Sequence, residues 1–474
     1  MAARINPKRS FLFVSKVLGK HLAVDPYVSL LSGAALSLLL YRELHKGQAE
    51  HEFNQATVDG LTSATDDTLS SPMAAKPEYH EDDDAAQHNT NMVESLLPSV
   101  LRALTTGEGA KEAYEQLMAV QLEAKQPLSF IGFAETATAL GHSMYAPFRQ
   151  EATYVHTTRH HIPDLTPVIQ FEEEHSHAVA HRCYAQQDGM IDGTQSIVLV
   201  DDEITTGKTT LNIIRAIHEQ YPRQTYYVAS LLDWRSAEHV QRYAELEQEL
   251  NIRIVPLSLI KGNITVEGQA ALSHPPFMLE EMDEQVPVEW IYLDDTFQQL
   301  HDHASVDGLE QVHTSPFVKH TGRFGLASVD NLLLDKSIAA AGARLRELRS
   351  GERTLCLGTE EFMYVPMRIG AQMGEGIRYH STTRSPVYRT EAPDYAIHSG
   401  YVFHSAEDRS VSNYVYNIPR QGYDDVFVFL ERDVRPGHLD ELIDVLRTRG
   451  FRHIHIVVCG PQVEQVDGKG NIHE

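Results

Sequence analysis

Short apolar runs alternate with helix-like patterns from residue 128 onward. The predicted strands are Leu128–Gly132, Ala152–His156, Ser196–Val200, Thr225–Leu232 and Ile252–Ile260. Helical periodicity covers Ala134–Met144 and Thr209–Gln220. Strands that alternate with helices predict βαβ units around a mostly parallel sheet, so the predicted fold class is α/β.

The same alternation returns in the second half of the chain. Its predicted strands and helices are Arg353–Gly358, Phe362–Met373, Gly376–His380, Asp425–Leu430, Gly437–Arg449 and Phe451–Val458. Gly132 and Gly358 each stand three residues before a glutamate, Glu135 and Glu361. This spacing predicts an internal duplication, with a second, diverged α/β domain of similar architecture. A chance likeness between short α/β motifs is the alternative.

The pattern divides the chain into five predicted segments. Residues 1–62 form an N-terminal helical hood, and the apolar run Tyr27–Tyr41 within it is predicted to be a buried helix. A signal peptide or membrane anchor is the alternative, but the run is shorter than the roughly 20 residues a membrane helix needs. Residues 63–91 are polar and acidic and predict a mobile insert, because they offer little apolar surface to offset ordering entropy. The remaining predicted segments are the core 92–273, a connector 274–320 and the second domain 321–474.

Charge and cysteine content exclude several classes of function. The net charge of −26 over 474 residues argues against binding nucleic acid or anionic membranes, since both need basic surface. The cysteines, Cys183, Cys356 and Cys459, lie far apart and form no CxxC pair. That pattern favours a reducing cytoplasm over a disulfide framework or a zinc ribbon.

The most informative stretch is Ser196–Thr210, SIVLVDDEITTGKTT. Its Gly-Lys-Thr ending suggests a nucleoside-triphosphate P-loop, as in a kinase or NTPase. A P-loop needs a glycine that is separated from the Gly-Lys pair by four residues, and this chain has Asp202 at that position. A carboxylate there would repel a polyphosphate, so the P-loop interpretation fails.

A sugar phosphate suits the same stretch. The predicted strand brings Asp201 and Asp202 to the carboxyl edge of a parallel sheet, where open α/β folds bind ligands. Paired carboxylates accept hydrogen bonds from the vicinal hydroxyls of a ribose. The small-residue turn that follows opens a helix, whose N–H groups and dipole bind a terminal phosphate. The predicted 5′-phosphate residues are Thr205, Thr206, Gly207, Lys208 and Thr209.

This stretch resembles the motif by which type I phosphoribosyltransferases bind 5-phosphoribosyl 1-diphosphate (PRPP). The loop after Leu128–Gly132 resembles the family's pyrophosphate loop, which here consists of Ala134, Glu135, Thr136 and Ala137. Many members have Arg-Gly-Gly or similar where this chain has Glu-Thr-Ala. Arg159 stands where the family carries basic residues that face pyrophosphate. The resemblance implies Mg²⁺ as a cofactor, approached by Asp201 and Asp202, and catalytic roles for these two residues and Arg159.

Further segments resemble one subfamily, the phosphoribosyltransferase-like proteins of tellurite-resistance gene clusters. These segments are Asn6–His21, Phe171–Ala178 and the motif Thr383-Arg384-Ser385-Pro386, which gives the C-terminal TRSP domain its name. The resemblance implies a glycosyltransferase that uses PRPP and an unidentified base-like acceptor to make a nucleotide-like metabolite. It leaves open a homodimer and other products of the gene cluster as partners. The alternative is a non-catalytic regulator that senses PRPP or a nucleotide.

The second domain has lost the ribose site in this interpretation. Aligning Gly207 with Gly437 sets Glu431 and Arg432 opposite the two aspartates, and Pro436 has no N–H to offer a phosphate. A different phosphorylated or carboxylated ligand is hypothesised here. The candidate residues for this second site are Glu361, Thr383, Arg384 and Ser385. The alternative for the arginine is a structural tie to Glu361.

A run of glutamates and histidines, Glu172–His177, lies within 171–181. Zinc sites use such ligands, but the helix-spaced HExxH signature is missing from the run. A solvated loop or catalytic flap is the leading interpretation. Acceptor binding and a transition-metal site are the alternatives.

Overall fold

Two sheets, one in each half of the chain, organise the fold. The structure is a computed structural model and describes residues 2–3, 11–62, 81–172, 180–186, 189–265 and 282–463. Its helices are α1 Pro26–Thr62, α2 Glu81–Thr106, α3 Ala110–Val120, α4 Ala137–Tyr145, α5 Lys208–Gln220, α6 Ala237–Leu250, α7 Ser328–Arg346, α8 Tyr364–Gln372 and α9 Asp440–Arg447. A 3₁₀ turn covers Lys319–Thr321.

The strands follow in chain order. Those before residue 262 are β1 Ala2–Ala3, β2 Phe11–Leu12, β3 Leu128–Gly132, β4 Ala152–His156, β5 Ile169–Glu172, β6 Ala180–Cys183, β7 Ser196–Ile204, β8 Thr225–Asp233 and β9 Arg253–Lys261. The later ones are β10 Val288–Tyr292, β11 Gln299–Leu300, β12 Ser305–Val306, β13 Val312–His313, β14 Phe317–Val318, β15 Leu326–Ala327, β16 Thr354–Gly358, β17 Ile377–Ser381, β18 Gly400–His404, β19 Ser412–Tyr416, β20 Asp425–Leu430 and β21 His453–Val458.

The two large sheets share one strand order over four strands, β4-β3-β7-β8 in the first and β17-β16-β20-β21 in the second. The first runs β15-β4-β3-β7-β8-β9 and the second runs β17-β16-β20-β21-β10, written here in matching direction. Within each sheet these strands pair in parallel, except that β15 joins β4 antiparallel. The predicted α/β class, with a second α/β domain of similar architecture, is therefore confirmed.

Strand β10 corrects the prediction of a connector over 274–320. Val288–Tyr292 lies inside that segment, yet it forms the edge of the second sheet beside β21. Its sequence, VEWIY, keeps only Ile291 buried, and the strand it pairs with lies far along the chain. A short, half-exposed run with a distant partner gives little signal in the local pattern.

Each half also extends a segment onto the sheet of the other half. Val24, just before α1, forms an antiparallel bridge with Tyr379 of the second sheet. Leu326, just before α7, pairs antiparallel with Tyr154 of the first sheet. Since Tyr379 and Tyr154 are each the third residue of matching strands, the exchange is reciprocal. The two halves are thus interlocked, although the sequence predicts them as consecutive domains.

Two glycines make the exchange possible. Gly19 accepts a hydrogen bond from the Ser381 N–H at 2.8 Å, and Gly322 accepts one from the His156 N–H at 3.0 Å. Both have left-handed backbones, with φ of 72° and 96°. A Cβ atom on either would lie within 2.6 Å of the tyrosine ring beneath it. Only glycine fits these two crossing points.

Helix α1 lies at the centre of the molecule. Leu30, Leu31, Ala34 and Leu38 are fully buried, so the predicted buried helix over Tyr27–Tyr41 is confirmed. Within the described residues, no helix combines the length and apolarity that crossing a membrane requires.

Helix α2 changes the prediction for residues 63–91. The helix begins at Glu81, inside the segment predicted as a mobile insert, and residues 63–80 lie outside the described residues. Ala85, Ala86 and Gln87 have high helix propensity, which the acidic composition of the segment masks.

Candidate functional site

The carboxyl end of β7 carries the two predicted ribose aspartates. Residues 197–200 are buried, and Asp201 and Asp202 follow them half-buried at the edge of the first sheet. The Asp202 N–H donates to the Asp201 carboxylate at 2.9 Å, which fixes the first side chain against the backbone. The strand itself continues to Ile204, so the pair lies on ordered backbone rather than in a loose loop.

The predicted phosphate turn lies directly beyond. Gly207 has a left-handed backbone, with φ of 68° and ψ of 11°, and α5 begins at Lys208. The Tyr243 hydroxyl donates to the Gly207 carbonyl at 3.2 Å, and a Cβ at this glycine would lie 2.3 Å from that hydroxyl. The Lys208 N–H makes only a long hydrogen bond, 3.4 Å, to the Thr206 hydroxyl, and the first turn of this helix carries no acid. Its N–H groups and dipole therefore suit an anion.

The predicted pyrophosphate loop lies beside the aspartates. The Phe133 N–H donates to the Val200 carbonyl at 3.1 Å, which joins the loop after β3 to the end of β7. The Ala134 N–H donates to the Thr157 hydroxyl at 2.9 Å, so this predicted phosphate donor is already engaged. The four loop residues are all buried, namely Ala134, Glu135, Thr136 and Ala137.

Two glutamates link the halves in a reciprocal way. Glu135 of the first half accepts from the Arg384 N–H at 3.3 Å and from the Arg159 guanidinium at 3.4 Å. Glu361 of the second half accepts from the Arg159 N–H at 2.7 Å and from the Thr158 hydroxyl at 2.6 Å. Each half has a Thr-Thr-Arg loop, residues 157–159 in the first and 382–384 in the second. Each glutamate thus binds the backbone of the loop that belongs to the other half. Residues predicted for two separate sites meet at one boundary.

Arg323 is central to this boundary and was not predicted. Its guanidinium is buried and bonds Glu361 at 2.7 Å and Glu431 at 2.6 Å. Burial by itself raises the pKa of Glu361, but Arg323 and Arg159 outweigh it and hold that pKa well below its ordinary value. The sequence around Arg323 carries no motif, since its partners lie in distant loops.

The Thr-Arg-Ser-Pro motif also serves internal contacts. The Arg384 guanidinium pairs with Glu360 at 2.7 Å, not with Glu361 as the structural alternative had it. Thr383 exchanges backbone hydrogen bonds with Tyr414 in the middle of β19. The Ser385 N–H donates to the Thr383 hydroxyl at 3.2 Å. The motif therefore ties the end of β17 to the β18–β19 hairpin.

Strand register corrects the alignment of the two copies by one residue. β3 and β16 each pair their final glycine with the central neighbouring strand, at Val200 and at Phe429 respectively. Counting on from these positions, Glu431 is the counterpart of Asp202, and Leu430 is the counterpart of the preceding aspartate. The alignment through the later glycines fails because the loop of the second copy is one residue longer.

An aromatic pair borders the first site. Trp234 follows β8, and its backbone N–H donates to the Ile204 carbonyl at 2.8 Å. Its ring stacks on Phe13 from the N-terminal segment, with centroids 5.2 Å apart and an interplanar angle of 25°. Its indole N–H has no hydrogen-bond partner among the described residues. No local sequence pattern predicts this contact, because the two segments lie far apart along the chain.

The histidine-rich run is only partly described. Residues 173–179, which include the predicted flap or metal ligands, lie outside the described residues. On either side, β5 and β6 form an antiparallel hairpin in which Phe171 stacks on His181 at 5.1 Å. Elsewhere in the described chain no group of three or more His, Cys, Asp or Glu side chains is placed to hold a metal ion.

Comparisons with known families match both halves of the chain. A family model described as "Phosphoribosyl transferase" matches residues 1–263. A second, described as "TRSP domain C terminus to PRTase_2", matches residues 320–446. A comparison with curated proteins found no match.

Solved structures with partial similarity are adenine phosphoribosyltransferases. The enzyme from Trypanosoma brucei, in complex with AMP, pyrophosphate and ribose-5-phosphate, is 20% identical over 34% of this chain and 64% of its own, with a TM-score of 0.23. The Giardia lamblia enzyme with 9-deazaadenine is 16% identical over 35% and 86%, with a TM-score of 0.22. The Leishmania donovani enzyme is 15% identical over 36% and 78%, with a TM-score of 0.23. At these scores the likenesses carry no argument about activity.

Proposed function

Because the chain belongs to the phosphoribosyl transferase family, whose model matches residues 1–263, we propose that it transfers ribose 5-phosphate from PRPP to a small base-like acceptor and releases pyrophosphate. The family matches confirm the resemblance to a phosphoribosyltransferase with a TRSP domain. The observation that supports the PRPP assignment most directly is the aspartate pair in the last half of β7, followed after a short turn by the N-terminus of α5.

Each part of PRPP then has a matching surface. Asp201 and Asp202 accept from the ribose hydroxyls, and the turn 205–209 donates to the 5′-phosphate. The diphosphate lies against the loop 134–137 and Arg159. The contact of Arg159 with Glu135 is long, at 3.4 Å, so its guanidinium can turn to a diphosphate without breaking a short ion pair.

The same aspartates suit Mg²⁺. This ion takes oxygen ligands and keeps several of its waters, so two adjacent half-buried carboxylates fit it when a diphosphate supplies the other oxygens. Bound there, the ion would neutralise charge on the leaving pyrophosphate. The chain's own residues orient the ribose and hold both phosphate ends, so that positioning and electrostatics lower the barrier to an oxocarbenium-like transition state.

The acceptor side is assigned to the stacked pair Phe13 and Trp234. The Trp234 backbone is bonded to Ile204 at the end of β7, and its ring carries the stacked Phe13. A flat, nitrogen-containing ring stacks well on aromatic side chains of this kind. This supports a base-like acceptor without naming it. The free, buried cysteines accord with a protein that acts in the reducing cytoplasm. A homodimer and partners from the same gene cluster stay predictions.

Calorimetric titration of PRPP, combined with an assay of pyrophosphate release, tests this function. With Mg²⁺ the full chain should bind PRPP, Asp201→Asn and Asp202→Asn should weaken binding, and EDTA should weaken it too. A panel of bases or a cell extract should stimulate pyrophosphate release. If PRPP binds but no acceptor stimulates pyrophosphate release, the result would favour a regulator that senses PRPP. If PRPP does not bind, both the transferase and the regulator would be contradicted.

A further inference from the structure

The phosphate turn 205–209 has a buried residue at its centre. Gly207 is buried, whereas Thr206 is half-buried and Lys208 is exposed. Gly207 contacts Tyr243 of α6, whose hydroxyl donates to the Gly207 carbonyl at 3.2 Å. Tyr243 therefore supports the turn from the interior of the protein, while the neighbouring residues of the turn stay open to a ligand.

Arg235 holds the ring of Tyr243. The central carbon of its guanidinium lies 4.1 Å from the centroid of that ring. The two residues are 5% and 4% exposed, and a cation over an aromatic face stabilises most where water is excluded. Burial raises the pKa of Tyr243 to about 12, so near pH 7 its hydroxyl keeps the proton that it donates to the turn.

Asp233, the last residue of β8, holds Arg235 in the same way. Its two carboxylate oxygens accept from Nε of Arg235 at 2.9 Å and from Nη2 at 2.7 Å, and the Arg235 backbone N–H donates to the same carboxylate at 3.1 Å. A bidentate pair of this kind fixes the plane of the guanidinium as well as its position. Contacts thus run without a break from the end of β8 to the turn that opens α5.

The residue between Asp233 and Arg235 is Trp234 of the acceptor side. The Gly262 N–H donates to the Asp233 carbonyl at 3.1 Å, and a Cβ atom at Gly262 would lie 2.6 Å from the Trp234 ring. The aromatic pair and the phosphate turn therefore share one anchored segment, residues 233–235.

We propose that Arg235 and Tyr243 are positioning residues for the phosphate turn: they fix the Gly207 peptide, and with it the direction of the N–H groups that meet the 5′-phosphate of PRPP. Neither side chain touches the ligand. This role rests on the proposed function, because it concerns the same site. It adds two residues from outside the stretch 196–210, one after β8 and one in α6.

Calorimetric titration of Tyr243→Phe with three ligands tests this role. With Mg²⁺, PRPP and ribose 5-phosphate should each bind about threefold to tenfold more weakly than to the wild type, the equivalent of one neutral hydrogen bond. Inorganic pyrophosphate, whose surface is the loop 134–137, should bind unchanged. A general loosening of the fold would weaken all three ligands, so the difference between them identifies positioning of the turn.

Tyr243→Phe should fold, because the Gly207 carbonyl keeps a donor in the Leu211 N–H at 3.1 Å. A thermal melt checks this. In a second variant, Arg235→Lys, a charge stays beside Asp233 but the planar bidentate pair is lost, and the same difference between ligands is expected.

Glu249→Gln is the matched control. It breaks the exposed pair of Glu249 with Arg215, at 2.7 Å, which joins the same two helices, α5 and α6. It should bind all three ligands as the wild type does.

The wild type separates failure of the positioning role from failure of the proposed function. If the wild type binds PRPP, but both folded variants bind PRPP and ribose 5-phosphate as tightly or bind all three ligands more weakly by one factor, the positioning role is wrong and the proposed function stands. If the wild type does not bind PRPP, both fail.

Discussion

At the scale of single residues, a few substitutions separate the two copies. Asp202 has Glu431 as its counterpart, and the counterpart of the other aspartate is the apolar Leu430. Glu431 is buried against Arg323, whereas Asp202 is half-buried at an open edge. The sequence predicts the position of the aspartates at the sheet edge because they directly follow a run of buried strand residues. It places their counterparts in the second copy one residue too late, because the hydrophobic pattern of the sequence does not show that the loop of the second copy is one residue longer.

Gly207 provides the residue-scale prediction. Gly207→Ala adds a Cβ into the Tyr243 ring, at 2.3–2.8 Å, on a left-handed backbone. Gly109→Ala is the matched control, since this helix-capping glycine has a φ of 69° and no atom within 4 Å of an added Cβ. The left-handed conformation alone costs about 1–2 kcal/mol in each variant. Urea unfolding should show a larger loss for Gly207→Ala, and PRPP titration should show weakened binding in that variant alone. Equal losses, with PRPP affinity retained, would contradict the assigned phosphate turn.

At the scale of elements, the sequence predicts strands better than the contacts between loops. Ala152–His156 and Asp425–Leu430 are found with their predicted bounds, because a run of apolar residues between polar ends is a local signal. Strand β10 and the β18–β19 hairpin were not predicted. Arg323 was also missed, because its role depends on two distant glutamates. The candidate PRPP residues could be predicted from one stretch, whereas the link between the halves could not.

Glu361 carries the element-scale prediction. Glu361→Gln leaves the buried Arg323 with half of its pairing and weakens the hold on the Arg159 loop. The expected loss in unfolding free energy is about 3 kcal/mol, typical of breaking a buried ion pair. Pyrophosphate affinity should fall as well, because the loop carries Arg159.

Glu347→Gln serves as the matched control. Its exposed pair with Arg346, at 3.7 Å, is of a kind that contributes about 0–1 kcal/mol. Denaturant unfolding and pyrophosphate titration compare the two variants. If Glu361→Gln matched the control in both measurements, Glu361 would not position the Arg159 loop.

At the scale of the whole molecule, the two halves form one interlocked unit. Val24 and Leu326 each pair with the sheet of the other half, and Glu135 and Glu361 repeat the exchange at the candidate site. The apolar core around α1 continues into α8 of the second half. The second half therefore helps to shape the first site. Because the two halves share a core, the free energy of unfolding of the whole chain should depend on contacts in either half.

Buried histidines should make that stability depend on pH. Burial lowers the pKa of His142 to about 3, of His156 to about 4 and of His160 to about 3, against 6.5 when unfolded. Below pH 6.5 the unfolded chain binds protons that the folded chain does not, so unfolding free energy falls as pH falls. Each histidine contributes a slope of up to about 1.4 kcal/mol per pH unit.

Urea unfolding between pH 7.5 and 5 measures this slope. His142→Phe keeps a ring that can stack on Tyr364. Because this variant lacks one protonatable group, the slope of its unfolding free energy against pH should be smaller by up to about 1.4 kcal/mol per pH unit. The exposed His398→Gln should leave it unchanged. A flat profile between pH 6.5 and 5 would show that these histidines do not stay neutral in the fold.

The most direct test of the central claim is titration of PRPP into the wild type, Asp202→Asn and Glu431→Gln in the presence of Mg²⁺. These substitutions remove matching carboxylates from the two copies. We predict that Asp202→Asn weakens PRPP binding tenfold or more, about 1.4 kcal/mol, while folded Glu431→Gln retains it. A wild type that does not bind PRPP, or an Asp202→Asn variant that binds it as tightly as the wild type, would contradict the assignment of the first sheet edge as the PRPP site.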